Sequence, residues 1–190
     1  MNTPAMAGGH QVTGVEKTFR DDQIIVSKTD RQGRLTYVND LFVEISGFAE
    51  DELIGRPHNI IRHPDMPASV FGLLWERIAS GQEIFAYVVN RSADGGHYWV
   101  LAHVTPTRDA GGAIVGFHSN RRTAPRASIR VVQDVYARLR DAERGVSPKS
   151  AAVAAGRAEL DRILADAALG YDEWVWSLAE QVPAGTGVAA

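Results

Sequence analysis

The chain has 190 residues, 45% hydrophobic and 23% charged, with a formal net charge of -3; this is the balance of a globular domain with a core of ordinary size plus a small appendage. With a weak negative charge and no basic stripe, a nucleic-acid surface is not expected. No apolar run reaches the roughly 18 residues that a bilayer span needs, and residues 1–10 lack signal-peptide order, so a cytoplasmic protein is expected.

Residues 1 to about 20 are rich in Gly, Thr and Ala without periodicity and read as a flexible leader. Residues 23–27 form a β-branched run, Asp30-Arg31-Gln32-Gly33 is a turn, and residues 34–38 alternate as a second strand. Leu41, Phe42, Ile45 and Phe48 follow at helical spacing after Asn39, a good N-cap type. Pro57, Pro64 and Pro67 break the next stretch into short turns. Val70, Leu73, Leu74, Trp75 and Ile78 make an amphipathic helix stopping near Gly81.

Three strands come next, over residues 84–91, 97–105 and 113–119, joined by Asp-Gly-type hairpin turns. The order predicts an α+β domain over residues 21–123, one five-stranded antiparallel sheet with short helices on one face. A helical extension over 124–182 is expected beyond it, with Ile129, Val132, Tyr136 and Leu139 on one helix face, and a frayed end over 183–190.

Several residues have chemistry beyond packing. Arg62 and His63 are donors on a proline-bounded turn beside Asp65, suited to a cofactor's anionic edge or diphosphate. The plainer reading makes Asp65 a helix cap and Arg62 a surface ion pair. Trp75 suits stacking on a flat ring, or core packing with Leu74 and Ile78. His58 is a pocket donor or a helix-start residue. Asn90 shares a strand face with Ile84, Ala86 and Val88. Its amide needs a partner there, a cofactor atom or a neighbouring turn. Tyr98, Val100, Ala102 and Val104 point inward by the same period, leaving Trp99, Leu101 and His103 outward. That outer face needs cover from the tail helices or a second subunit. The scattered His97, His103 and His118 show no metal-ligand spacing.

Motifs in residues 29–122 resemble the PAS domain of the aerotaxis receptor family. They run Tyr37-Val38-Asn39-Asp40-Leu41-Phe42, Ser46-Gly47-Phe48, Glu52-Leu53-Ile54-Gly55, then Pro57-His58-Asn59 and Arg62-His63-Pro64-Asp65-Met66-Pro67. Trp75, Asn90-Arg91 and Gly96-His97-Tyr98-Trp99-Val100 complete the series. The resemblance implies a PAS fold holding FAD without a covalent bond. It places cofactor contacts at Asn39, His58, Arg62, His63, Asp65, Trp75 and Asn90, with output to a chemoreceptor or kinase signalling protein. Phe85 departs from the family, where Trp is common, and is expected to alter the pocket's shape. With no cysteine in the chain, disulfides, thiolate-bound haem and a flavin–cysteinyl photoadduct are excluded.

The leading expectation is a redox or oxygen sensor acting as a monomer or homodimer. The alternatives are a haem PAS gas sensor with a histidine ligand and a cofactor-free interaction module. No GxSxG, P-loop, HExxH or dinucleotide glycine motif is present, so an enzyme is not expected.

Overall fold

A computed structural model describes residues 12–180. The sheet comprises β1 (Ile25–Asp30), β2 (Leu35–Val38), β3 (Ile84–Arg91), β4 (His97–Arg108) and β5 (Ile114–Arg122). It is fully antiparallel in the spatial order β2-β1-β5-β4-β3, so β5, last in sequence, lies at the centre. Between β2 and β3 come α1 (Asp40–Ser46), α2 (Glu50–Leu53), a 3₁₀ turn (His58–Ile61) and α3 (Ala68–Ala79). The tail forms α4 (Arg126–Glu143), α5 (Lys149–Asp166) and α6 (Tyr171–Glu180). The α+β expectation, helices on one face of a five-stranded sheet and a helical extension, describes this architecture.

Two strands run further than their composition suggests. β4 continues through Pro106, which is tolerated because β3 ends opposite Val104 and leaves that edge of β4 unpaired. β5 extends three residues beyond Ser119, because Asn120 and Arg121 pair with β1 on one side and β4 on the other. The polar run Ser119-Asn120-Arg121-Arg122 reads as a strand end by composition, whereas the ladder keeps it extended.

The strand period divides the sheet as expected. Ile84, Ala86, Val88 and Asn90 face α3, while Tyr87, Val89 and Trp99 are buried on the other side. That outer face is covered by the chain's own tail. Tyr136 on α4 donates its hydroxyl to the Tyr87 carbonyl and packs its ring 6.2 Å from that of Trp99. Trp176 on α6 packs 4.6 Å from Phe85, and Ser128 ties α4 to α6 through the Leu178 carbonyl. Phe85 therefore stacks on His103 and packs at a tilt against Trp176 on the outer face. Its departure from Trp alters the tail contact, not the pocket, which corrects the expectation drawn from the resemblance.

Residues 12–20, expected within a flexible leader, run beside the start of β4 instead. His97 donates to the Val15 carbonyl and accepts from the Lys17 N–H, and Glu16 pairs with Arg126. The remainder of that leader, residues 1–11, and the frayed end at 183–190 lie outside the described residues. Among the described residues no helix is long and apolar enough to cross a membrane.

Candidate functional site

A cavity of about 410 Å³ lies between the inner face of the sheet and α3, within the size range of small-molecule sites. Its floor is made by Ser27 and Thr29 of β1, Val88 and Asn90 of β3, Ala102 and Val104 of β4, and Phe117, Ser119 and Arg121 of β5. One wall is α3, through Phe71, Leu74, Trp75 and Ile78; the other is the turn carrying Pro57, His58, Asn59 and Arg62. Lys149 and Val153 of α5 stand at the mouth. Alternation along each strand makes this floor, since only every second side chain turns inward.

Of the seven residues expected at the site, His58, Arg62, Trp75 and Asn90 line the cavity. Trp75 is 40% exposed at the rim. Its indole stands edge-on to Phe117 at 5.5 Å and lies over Gly33, where an added Cβ would meet the ring at 2.8 Å. Gly33 also has φ +75°, so the hairpin turn and the indole together require glycine there. Arg62 is half-buried, donates to the Met66 carbonyl at 2.9 Å and stacks 4.6 Å from Phe71. Burial pulls its pKa down, opposed by the Glu143 carboxylate. Asn90 is buried on β3, and its backbone pairs with Arg62.

The other three sit elsewhere. Asn39 caps α1, accepting from the Phe42 and Val26 N–H groups and donating to the Ile24 carbonyl. His63 is buried beside His97, ring centroids 5.7 Å apart, and its Nδ1 accepts from the Asp65 N–H. Burial lowers its pKa, partly offset by Asp65. Asp65 is exposed, its carbonyl accepting from Arg140 of α4 at 2.7 Å. The cap on α3 comes instead from Glu143, which accepts from the Ala68 and Ser69 N–H groups at 2.9 and 2.8 Å.

Sequence reading missed Arg121. It is 4% exposed on the central strand, donating through Nη2 to Ser27 Oγ at 3.0 Å and to His58 Nε2, with its guanidinium over the Phe42 ring. Phe117, Ser119 and Arg121 share a two-residue period; extending the strand by two residues would have found it.

Four buried polar atoms of cavity-lining residues have no protein partner: Thr29 Oγ1, Asn90 Nδ2, Ser119 Oγ and Arg121 Nη1. All can donate. Buried donors without partners are rare in folded proteins, so four around one cavity fit a ligand rich in acceptors.

Burial, and then the Arg121 charge, push the His58 pKa from 6.5 down to about 3. The folded protein keeps this ring neutral while the unfolded chain protonates it below pH 6.5. Its contribution to stability is therefore complete above pH 6.5 and is lost as pH falls toward 3. The urea midpoint is expected to fall between pH 7 and 5, and His58→Gln should flatten that fall. An equal slope in both proteins would refute the assignment.

A sheet floor and a helical wall thus enclose a donor-lined cavity of small-molecule size. A family model for the PAS fold matches residues 22–121, and the chain belongs to the PAS family. It is 38% identical over 135 residues to the aerotaxis receptor of Escherichia coli (strain K12), a match covering 70% of this chain and 26% of that protein. It is 27% identical over 150 residues to the bacterioopsin transcriptional activator of Halobacterium salinarum (strain ATCC 700922 / JCM 11081 / NRC-1), covering 75% and 22%. The chain thus spans about a quarter of the length of these relatives. The light-state structure of the blue-light photoreceptor Aureochrome1 LOV superposes with a TM-score of 0.53 at 19% identity, covering 58% of this chain and 88% of that one. A LOV domain from a flavin-analogue study gives 0.52 at 16% identity, covering 58% and 83%. At these identities the structures speak for the fold alone.

Proposed function

We propose that this PAS domain holds FAD without a covalent bond and reports redox state or oxygen availability to a chemoreceptor or kinase partner in the cytoplasm. The observation that carries the reading is the set of unpartnered donors on the cavity floor, Thr29, Asn90, Ser119 and Arg121. A flavin's dione edge offers acceptors of the matching kind. The likeness to an aerotaxis receptor supports the sensory role. When bound, a flavin supplies electron-transfer chemistry, with N5 changing from hydrogen-bond acceptor to donor on reduction.

The chain's own groups divide the work of binding. Thr29, Asn90, Ser119 and Arg121 hold the ring edge, Trp75 closes the rim over the ring, and Arg62 with Lys149 at the mouth meets phosphate. Two cations there suit either flavin's phosphate charge; the choice of FAD over FMN comes from the resemblance to the aerotaxis receptor family. His63 and Asp65 support this set indirectly by shaping the turn that presents Arg62, and Asn39 by fixing α1 to β1.

The haem alternative meets a specific obstacle. His58 is the histidine that lines the cavity, and its Nε2 already accepts from the Arg121 guanidinium. An iron at that nitrogen would face a cation.

The test is the absorption spectrum of the purified protein, with release of the cofactor for chromatography. A yellow protein yielding FAD is expected. A Soret band, or a colourless protein that takes up no flavin on reconstitution, would sink the proposal; released FMN would correct the choice of cofactor.

A further inference from the structure

We infer that Arg121 is the charge anchor of the cavity, a cation left without a carboxylate so that the bound ligand supplies the negative charge. The identity of that ligand as a flavin rests on the function proposed above.

Its position is fixed by the sheet. β5 is the central strand, and Arg121 pairs with Ile25 on one side and Ala102 on the other. Its side chain shares the inner face with Phe117 and Ser119. At 4% exposure it is the most enclosed basic group of the floor, and a guanidinium keeps its proton even when buried. No carboxylate lies within ion-pair distance among the described residues. Its compensation is a serine hydroxyl, the neutral His58 ring and the face of Phe42, while Nη1 has no partner. Desolvation draws its pKa down to about 10, opposed only in part by the buried Tyr98 hydroxyl, itself a neutral phenol because burial pushes its pKa up.

A buried charge held this way opposes folding unless something completes it. The arrangement makes sense if completion comes from the ligand. A neutral ring edge accepts one hydrogen bond from Nη1; an anionic edge also pairs with the charge. Flavin taking up two electrons and one proton, at N5, keeps one negative charge on its ring, and charge near that edge tunes its potential. Arg121 therefore binds the reduced form more tightly than the oxidised form, which raises the potential at which the domain responds.

Arg121→Met and Arg121→Lys test this in two independent ways. In protein stripped of flavin, Arg121→Met should raise the urea midpoint, because it removes an uncompensated buried cation. In FAD-loaded protein titrated with dithionite, it should shift the midpoint potential negative by about 30 mV or more, a tenfold loss of preference for the reduced form in a two-electron couple. Arg121→Lys, which keeps the charge, should recover most of that shift. A marked loss of flavin-free stability in Arg121→Met would show a structural cation and overturn the inference. So would an unmoved potential. If the wild-type chain takes up no flavin, the functional reading falls alone, and the flavin-free comparison decides Arg121.

Discussion

Replacing Asn39 with alanine is expected to lower stability by about 2–3 kcal/mol, enough to move the melting temperature by several degrees. The side chain makes three bonds at once. Its Oδ1 accepts from the Phe42 N–H at 3.2 Å, which caps α1, and from the Val26 N–H at 2.9 Å; its Nδ2 donates to the Ile24 carbonyl at 2.9 Å. Loss of the cap alone costs about 1 kcal/mol, and the two remaining bonds fasten the helix to the first strand. Asn39→Asp keeps both acceptor contacts but turns a carboxylate oxygen toward the Ile24 carbonyl, so its loss should fall between wild type and alanine. Urea unfolding of the three proteins, followed by flavin titration of the folded fraction, separates the roles. The structural clamp predicts lower stability with nearly unchanged affinity per folded molecule. An alanine variant with normal stability and no flavin binding would instead make Asn39 a direct cofactor contact.

Asn39 shows how far the sequence could be read. Its cap was legible because an Asn before an apolar helical stripe is a local signal. So was the inward set on β3 and β4, because one buried sheet face imposes strict alternation. What stayed hidden depended on partners distant in sequence. Arg121 was lost because Ser119-Asn120-Arg121-Arg122 looks like a loop until β1 and β4 are seen pairing with it. The plainer reading of Asp65, three residues before the helix, makes it the cap on α3; the cap comes from Glu143, 74 residues beyond Ser69. Pro67 at the N-cap has no side-chain acceptor, so a remote carboxylate was needed, and no local pattern reveals which one. Arg62, His63 and Asp65 are adjacent in sequence yet diverge, because successive residues of an extended turn point different ways. Only Arg62 reaches the cavity.

That remote cap also gives the cavity a mechanical link to the tail, and reduction of bound flavin is expected to change hydrogen exchange in residues 125–145. Arg62, on the cavity wall, holds the Met66 carbonyl; the neighbouring Asp65 carbonyl holds Arg140, and Glu143 holds the first two N–H groups of α3. Farther along the same helix, Tyr136 holds the carbonyl of Tyr87, on the strand that carries Asn90. α4 is thus fastened both to the turn and to the strand that line the cavity. If the Asn90 amide turns as flavin N5 changes from acceptor to donor, β3 and this turn shift together and the packing of α4 changes between two states. Glu143 is shielded from above by α5, where Gly156 comes so close that an added Cβ would sit 2.5 Å from the carboxylate and 2.6 Å from Ser69 Oγ. Removing the carboxylate costs about 1–2 kcal/mol of local stability. The wild-type protein should show exchange rates in this helix differing several-fold, up to about tenfold, between oxidised and reduced samples. Asn90→Ala should shrink that difference while leaving some FAD bound, and Glu143→Gln should shrink it with the flavin potential unchanged. Gly156→Val, whose side chain would press on the Glu143 carboxylate and force α5 away from the cap, should reproduce the Glu143 effect without removing a hydrogen-bonding group. Identical exchange across α4 in oxidised and reduced wild-type protein would remove this helix from the output path and leave the signal to another surface of the sheet.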